Sequence, residues 1–463
     1  MNERTAEMEY VIEQISKGPK HHMFGFHDLI QTNADGNFAL ALEINDISRP
    51  PLPGEECKSG VIDLRTKEYV QIHSTHTWNY PQGARQQWIG RSNLFLCNDR
   101  EQDGKLVSKI SCAQKGKVVD TLPFPVHCIN SDLQKAIYIN YDRLHAVGAY
   151  GYVPNRKLGY QHIEDLPEND GLWIGDLQSK QVVGLLASIR EIASCGEKSV
   201  RKTGFPHYVT HPMLNPRGDR IAFLHRYRVP DGGETTRLMS IGIDGSGLRC
   251  LAKGFLSHFT WTSNEEIFIW GAHQPKIYSM RESAYLRFPG LLKMSKLAKS
   301  AIRFLRRTHH STTSSLQSHA FLTIADQEGG AIEKSALGVI VEDGHPMACP
   351  NQLREVICDT YPNSKGDRQL FLYNLDQNVR KEISTFRRIF SEPDKDTFDY
   401  RMVQSGTDVR IAKRFDLSHY LFARSGFHCD LHPRWSYDGE FVFFDSIHDG
   451  TRQLYRVKVG DER

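Results

Sequence analysis

The sequence predicts an all-β fold, a seven-bladed β-propeller closed into a ring. Three observations lead there. A histidine recurs in a repeated phrase: His211-Pro-Met-Leu-Asn-Pro-Arg-Gly218, His258-Phe-Thr-Trp261, His345-Pro-Met-Ala-Cys-Pro350 and His432-Pro-Arg-Trp-Ser-Tyr-Asp-Gly439. An apolar run follows each: Ile221-Ala-Phe-Leu224, Ile267-Phe-Ile-Trp270, Val356-Ile357 and Phe441-Val-Phe-Phe444. Strand signals with Asp-Gly-like turns recur along all 463 residues with little helical periodicity. A blade takes ~40–50 residues, so one propeller spanning 1–463 accounts for the length.

The blades follow in order. Blade one runs from about Phe24 to Ile72, with its turn at Asp35-Gly36 and a strand at Gly60-Val-Ile-Asp-Leu64. Blade two begins near Tyr80 and continues through Asn93-Leu-Phe-Leu-Cys-Asn-Asp-Arg100. Blade three starts at Phe124-Pro-Val-His-Cys128, carries a Gly-punctuated loop from Tyr141 to Tyr152, and closes with Gly171-Leu-Trp-Ile-Gly-Asp-Leu177. Blade four runs from Tyr208 to about Leu251. Blades five, six and seven start at His258, His345 and His432. An N-terminal strand is expected to complete the last blade, since closure removes exposed strand edges. Repeat geometry then delivers equivalent side chains to one axis.

Composition excludes several classes. Hydrophobic content of 39% with 24% charged residues is that of a globular chain. A net charge of +3 gives no case for a nucleic-acid binder. No apolar run approaches the ~20 residues that span a membrane. The polar start of the sequence has no signal-peptide core, so a cytoplasmic or inner-membrane-associated location is expected. Nine scattered cysteines argue against a disulfide framework. Cys97 and Cys358 sit in strand-like runs and read as packing residues.

Residues 283–325 break the pattern, with seven basic residues and no acidic one. Leu291, Met294, Ala298, Ile302 and Leu305 fall at helical spacing among lysines and arginines. This basic amphipathic insertion in blade five permits peripheral contact with an anionic membrane through 287–307. A helix packed on the propeller edge is the other reading.

Two groups of residues carry chemistry. In blade seven Cys429 stands three residues before His432, and with His258 and His345 it makes a Cys/His set of four from adjacent blades. Thiolate and imidazole suit zinc best, with manganese and calcium the other divalent candidates. A cap role, each imidazole bonded to a neighbouring carbonyl, is the alternative. Blades three and four bring His127, Arg143, His145, Tyr150, Tyr152, Tyr208, His211, His225 and Arg226 towards one face, with Arg85 from blade two. Eliminating across a uronic acid needs a base for the C5 proton, an acid for the leaving oxygen and a cation on the carboxylate. Histidine, tyrosine and arginine supply these.

The phrases Gly83-Ala-Arg-Gln-Gln-Trp88, Asn98-Asp-Arg100, Tyr150-Gly-Tyr152, Asn215-Pro-Arg-Gly-Asp-Arg220, Phe223-Leu-His-Arg226, Ser257-His-Phe-Thr-Trp261, Asp343-Gly-His-Pro346, Asp359-Thr-Tyr-Pro362 and Cys429-Asp-Leu-His-Pro-Arg-Trp435 resemble the seven-bladed propeller polysaccharide lyases. Oligogalacturonate lyases and ulvan lyases are the nearest groups. The resemblance runs from about Phe24 to Val459. It implies β-elimination on an acidic polysaccharide or oligosaccharide. By the ulvan pattern, His127, His145, Tyr208 and Arg226 would carry the site. By the oligogalacturonate pattern, a metal would sit among His345, Cys429 and His432, cysteine replacing an amide and so favouring zinc over manganese. His127, His145, Tyr208 and Arg226, with His211 from the blade-four cluster, are the expected catalytic residues. Arg85, Arg143, Tyr150, Tyr152 and His225 are the expected substrate-binding ones. A non-catalytic propeller that binds a glycan or protein partner stays open. So does a hydrolase, although no Gly-x-Ser-x-Gly elbow is present.

Overall fold

A computed structural model describes residues 10–130, 132, 134–148, 150–154, 163–196, 204–229, 233–282, 319–387 and 422–460. Its strands form five four-stranded sheets and one of seven strands, all pairings antiparallel. The seven-stranded sheet is two blades joined by one long strand, Arg249–Trp261. The first part of that strand pairs with Glu234–Gly242 and closes blade four. The last part pairs with Glu266–His273 and opens blade five. Counted this way the sheets are seven four-stranded units, as the repeat predicts.

The repeat has a local cause. In four blades the turn after the inner strand is tied by a short polar side chain. Asn33 Oδ1 accepts the N–H groups of Asn37 and Phe38. Asn130 does the same for Gln134 and Lys135, and Asn215 for Gly218, Asp219 and Arg220. Ser436 Oγ accepts from Phe441. Gly218 and Gly439 then take φ of 80° and 69°, which is why glycine recurs seven residues after His211 and His432.

Strand alternation builds the core between blades rather than within them. Ile221 and Phe223 pack towards blade three, while Ala222 and Leu224 pack towards blade five. Ile267 and Ile269 face blade four, and Phe268 and Trp270 face blade six. Val442 and Phe444 face blade six, and Phe443 faces blade one. Both faces of these strands are buried, which makes them read as continuous apolar runs. Trp88, Trp261 and Trp435 each donate an indole N–H to the preceding blade's inner segment, at Gln31, Met213 and Met347, over 2.9–3.1 Å.

The ring closes as expected. Ile12–Gln14 pairs with Gln453–Lys458 and supplies the fourth strand of blade seven. Gln453 is the clasp: it accepts from Ser16 Oγ at 2.5 Å, contacts His22 Nδ1 at 3.0 Å and donates to the Lys20 carbonyl at 2.8 Å.

Two expectations change. The Tyr141–Tyr152 segment is not simply a loop: it opens with a short helix, Tyr141–Arg143, capped by Asn140, and a π-turn, Leu144–Gly148. The insertion expected over 283–325 ends earlier, because Ala320–Ala325 is a strand of blade five paired along Glu266–Gly271. The amphipathic stretch 287–307 lies outside the described residues. Among those described, no helix is long and apolar enough to cross a membrane.

Replacing Gln453 with alanine strands buried partners at the ring seam. Each unpaired group costs about 1–3 kcal/mol, so urea unfolding of Gln453→Ala is expected at a lower midpoint than wild type. An unchanged midpoint would contradict the clasp.

Candidate functional site

The inner segments of the blades distort where they approach the axis. In blade four the register slips between Thr210 and Met213, and in blade five between Leu256 and Phe259. His211 and His258 sit in those bulges, which turn a side chain out of the ladder. Arg85, His211 and His432 adopt φ of 52°, 56° and 42°. Each stands three residues before Trp88, Leu214 or Trp435, so blade two presents an arginine where blades four and seven present histidines. Non-glycine residues in this region are strained and persist only where surroundings enforce them.

Blade one supplies a histidine that the repeat pattern misses. Its inner strand breaks after His21–Met23 and resumes near Thr32, which bridges to Ala39. The excursion between carries Phe26-His27-Asp28. It is locked where Gly83 meets Phe24: a side chain at Gly83 would lie 2.0 Å from the Phe24 carbonyl oxygen.

The imidazoles converge. Ring centroids of His258 and His345 are 4.2 Å apart, and those of His345 and His432 4.3 Å. His27 lies 5.4 Å from His345, 5.8 Å from His258 and 6.1 Å from His432. His211 is 6.1 Å from His258 and packs against Phe26 at 4.9 Å. Nε2 of buried His211 and Nε2 of His127 make no hydrogen bond. Burial pushes His27, His211, His258 and His432 below the usual histidine range, reinforced by neighbouring cations and imidazoles. They are neutral at ordinary pH. His345 goes the other way: burial opposes its charge, but the carboxylates of Asp359, Asp430 and Asp343 outweigh it.

One side of this well carries residues that could hold a metal ion. Candidate ligand atoms of His345, Asp430 and His432 lie within 4.8 Å of one another. Three of the imidazoles are anchored through Nδ1: His345 on Asp359 Oδ1 at 2.8 Å, His432 on the Gly25 carbonyl at 3.0 Å, His258 on Ser257 at 3.0 Å and Asp343 at 3.4 Å. Such anchoring fixes the tautomer that leaves Nε2 as the lone-pair donor, the usual outer arrangement around a metal. Asp359 also accepts the backbone N–H of both His345 and His432, tying blades six and seven together. Cys429 is not in this group. Its side chain is buried in the apolar cluster of blades one and seven, and burial raises its thiol to about 11. In this segment Cys429 and Leu431 join apolar clusters while Asp430 and His432 face the well, so the ligand three residues before His432 gives way to the one two before it.

The other side holds Tyr208, Arg226 and their partners. Tyr208, 2% exposed, donates to Glu234 Oε2 at 2.9 Å. Arg226 lies 3.9 Å from Glu234 and donates to the Leu256 carbonyl at 3.3 Å, and its Nε is buried without a bond. It is close enough to His211 to lower that imidazole. Tyr150 perturbs Tyr208, Arg226 and Tyr361, placing it between the two sides. Tyr361 leans on His345 at 5.2 Å. His127 bonds Tyr141 through Nδ1 at 2.8 Å.

Several expected substrate contacts are occupied by the protein itself. Arg85 makes a two-point pair with Asp28, at 2.8 and 2.9 Å, and also donates to the His127 carbonyl. Arg143 holds the carbonyls of His207, Glu164 and Asp165. Tyr152 is stacked under Tyr141 at 4.4 Å and bonded to Asn98. His225 accepts or donates at 3.0 Å to His207, beneath Tyr227. His145 is buried in the π-turn. Arg85, Arg143, Tyr152 and His225 thus already have polar partners within the protein.

Sequence reasoning missed His27, Asp28, Glu234, Asp343, Asp359, Tyr361 and Asp430. His-Asp at 27–28, just before the first Asp-Gly turn, was a usable signal.

Among solved structures, an oligogalacturonate lyase from Vibrio parahaemolyticus is similar, with a TM-score of 0.55 and 11% identity over 98% of this chain and 95% of that one. An oligogalacturonate lyase in complex with manganese gives 0.50 and 12%, over 98% and 94%. No protein-family model matches the sequence, and no curated protein does. At these identities the likeness establishes a β-propeller.

The His207–His225 pair gives a pH prediction. Burial and nearby Arg143 hold His207 down to about 3, and His225 is lowered by burial and His207. Their stabilisation is complete above the ordinary histidine range and is lost as pH falls from there towards about 3. Urea midpoints should fall between neutral pH and about pH 4.5, with a shallower slope in a His207→Asn, His225→Asn variant. An identical slope in that variant would contradict this account.

Proposed function

We propose that this chain is a lyase that cleaves a uronic-acid-containing polysaccharide or oligosaccharide by β-elimination. The observation that carries the proposal is one well holding a neutral histidine with a free nitrogen, a buried guanidinium and a buried phenol. His211 is the base: its Nε2 is unbonded and its ring neutral, so it can accept the C5 proton. Arg226 faces the carboxylate and makes that proton acidic enough to remove; its unbonded Nε leaves donor capacity. Tyr208 is the acid. Burial and Glu234 raise its phenol well above the usual tyrosine range, so it stays protonated and can give a proton to the leaving oxygen.

We also propose a divalent metal on His345, His432 and Asp430, with His258 and His27 beside them. Imidazole with one carboxylate suits zinc or manganese and disfavours calcium, which takes all-oxygen shells. When bound, such an ion acts as a Lewis acid towards an oxygen ligand. The similarity to a structure described as an oligogalacturonate lyase in complex with manganese supports this reading.

The test is an ultraviolet absorbance assay for the conjugated unsaturated uronate, run over polygalacturonate, ulvan and glycosaminoglycans. His211→Ala and Tyr208→Phe should each lower kcat by ~10²–10⁴-fold. Binding without turnover on every polymer would favour a non-catalytic glycan-binding propeller instead. For the metal, Asp359→Asn should weaken affinity by about 10–100-fold through the loss of second-sphere anchoring. Cys429→Ser should leave metal stoichiometry unchanged. Elemental analysis and calorimetry read both; loss of metal in Cys429→Ser would overturn the ligand assignment.

A further inference from the structure

Tyr208 is sealed from solvent, yet an acid that gives its proton away must recover it each cycle. The described residues facing its ring are few. Glu234 accepts its hydroxyl at 2.9 Å. Arg226 and Tyr150 lie nearby, and Arg143 and Asp170 line a small cavity shared with the ring. Gly148 lies against the ring edge, so close that a side chain there would sit 2.7 Å away. Of these groups Glu234 is the carboxylate that bonds the phenol, and its side chain is 33% exposed. It sits at the start of Glu234–Gly242, opposite Arg228, at the end of the blade-four ladder.

We infer that Glu234 is a positioning residue that holds the Tyr208 hydroxyl and returns a proton to it from solvent after each elimination. This rests on the elimination reading above. The balance closes: His211 takes the C5 proton as the C4–O bond breaks, and the leaving oxygen takes the Tyr208 proton. Glu234 then passes a proton from solvent to the tyrosinate, and His211 releases its own to solvent. Arg226, 3.9 Å from Glu234, offsets the negative charge that the phenolate and carboxylate would otherwise share. A carboxylate beside a phenol disfavours the phenolate, which adds to the effect of burial on Tyr208.

The experiment uses Glu234→Gln and Glu234→Asp in the full chain. The amide keeps an acceptor for the phenol but neither carries charge nor relays a proton. Ultraviolet titration of tyrosinate, with Tyr208→Phe subtracted to isolate one phenol, needs no substrate. It should show Tyr208 ionising at lower pH in Glu234→Gln than in wild type, with Glu234→Asp restored towards wild type. On the polymer that wild type cleaves, Glu234→Gln should lose about 10²-fold in kcat with KM unchanged, and its alkaline limb should move to lower pH. An unmoved titration, or a kcat–pH profile equal to wild type, overturns the proposal. A moved titration in a protein inert on every polyuronate sinks the elimination reading and the relay with it, and leaves the Glu234–Tyr208 coupling standing.

Discussion

The site depends on one backbone device: the inner segment of a blade breaks its ladder just where it nears the axis. Bulges at His211 and His258, and left-handed backbone at Arg85, His211 and His432, turn side chains out of the sheet and into a shared well. A regular strand would send alternate side chains into the interblade cores instead, as Ile221 and Ala222 do. Those cores and the Gln453 seam hold the strained segments in place. Ring closure therefore serves the site as much as stability, because an open ring would let the axial residues separate.

The well is arranged to keep imidazoles uncharged at close range. Five histidine rings in one contiguous cluster would repel strongly if protonated, and burial opposes it. The exception, His345, sits against Asp359, which also bonds the backbone of His432. One carboxylate thus aligns two candidate ligands from two blades. On the opposite side Glu234 plays a comparable part for Tyr208, and Asp28 for Arg85. In each case a chemically useful group is held by an acidic partner that sequence alone did not single out.

Much of the fold was legible, because turn chemistry and two-sided burial leave direct marks: the glycine seven residues after the histidine, and unbroken apolar runs. The strand shared by blades four and five was not, since pairing of Arg249–Trp261 with two different neighbours leaves no compositional trace. The candidate site was half legible. His258, His345 and His432 share a repeat position, and it brought them together. His27 escaped because it stands on an excursion that breaks the repeat spacing. Cys429 was placed by residue type, whereas the alternation of the segment buries it and turns Asp430 to the well. Arg85, Arg143 and His225 looked available because spacing cannot show that Asp28, three backbone carbonyls and His207 already engage them.

Anomalous diffraction from a crystal soaked in zinc or manganese tests the convergence most directly. The account predicts a single strong peak on the axis, within bonding distance of His345, His432 and Asp430 and beside His27. A peak at Cys429, or axial imidazoles pointing apart around an empty centre, would contradict it.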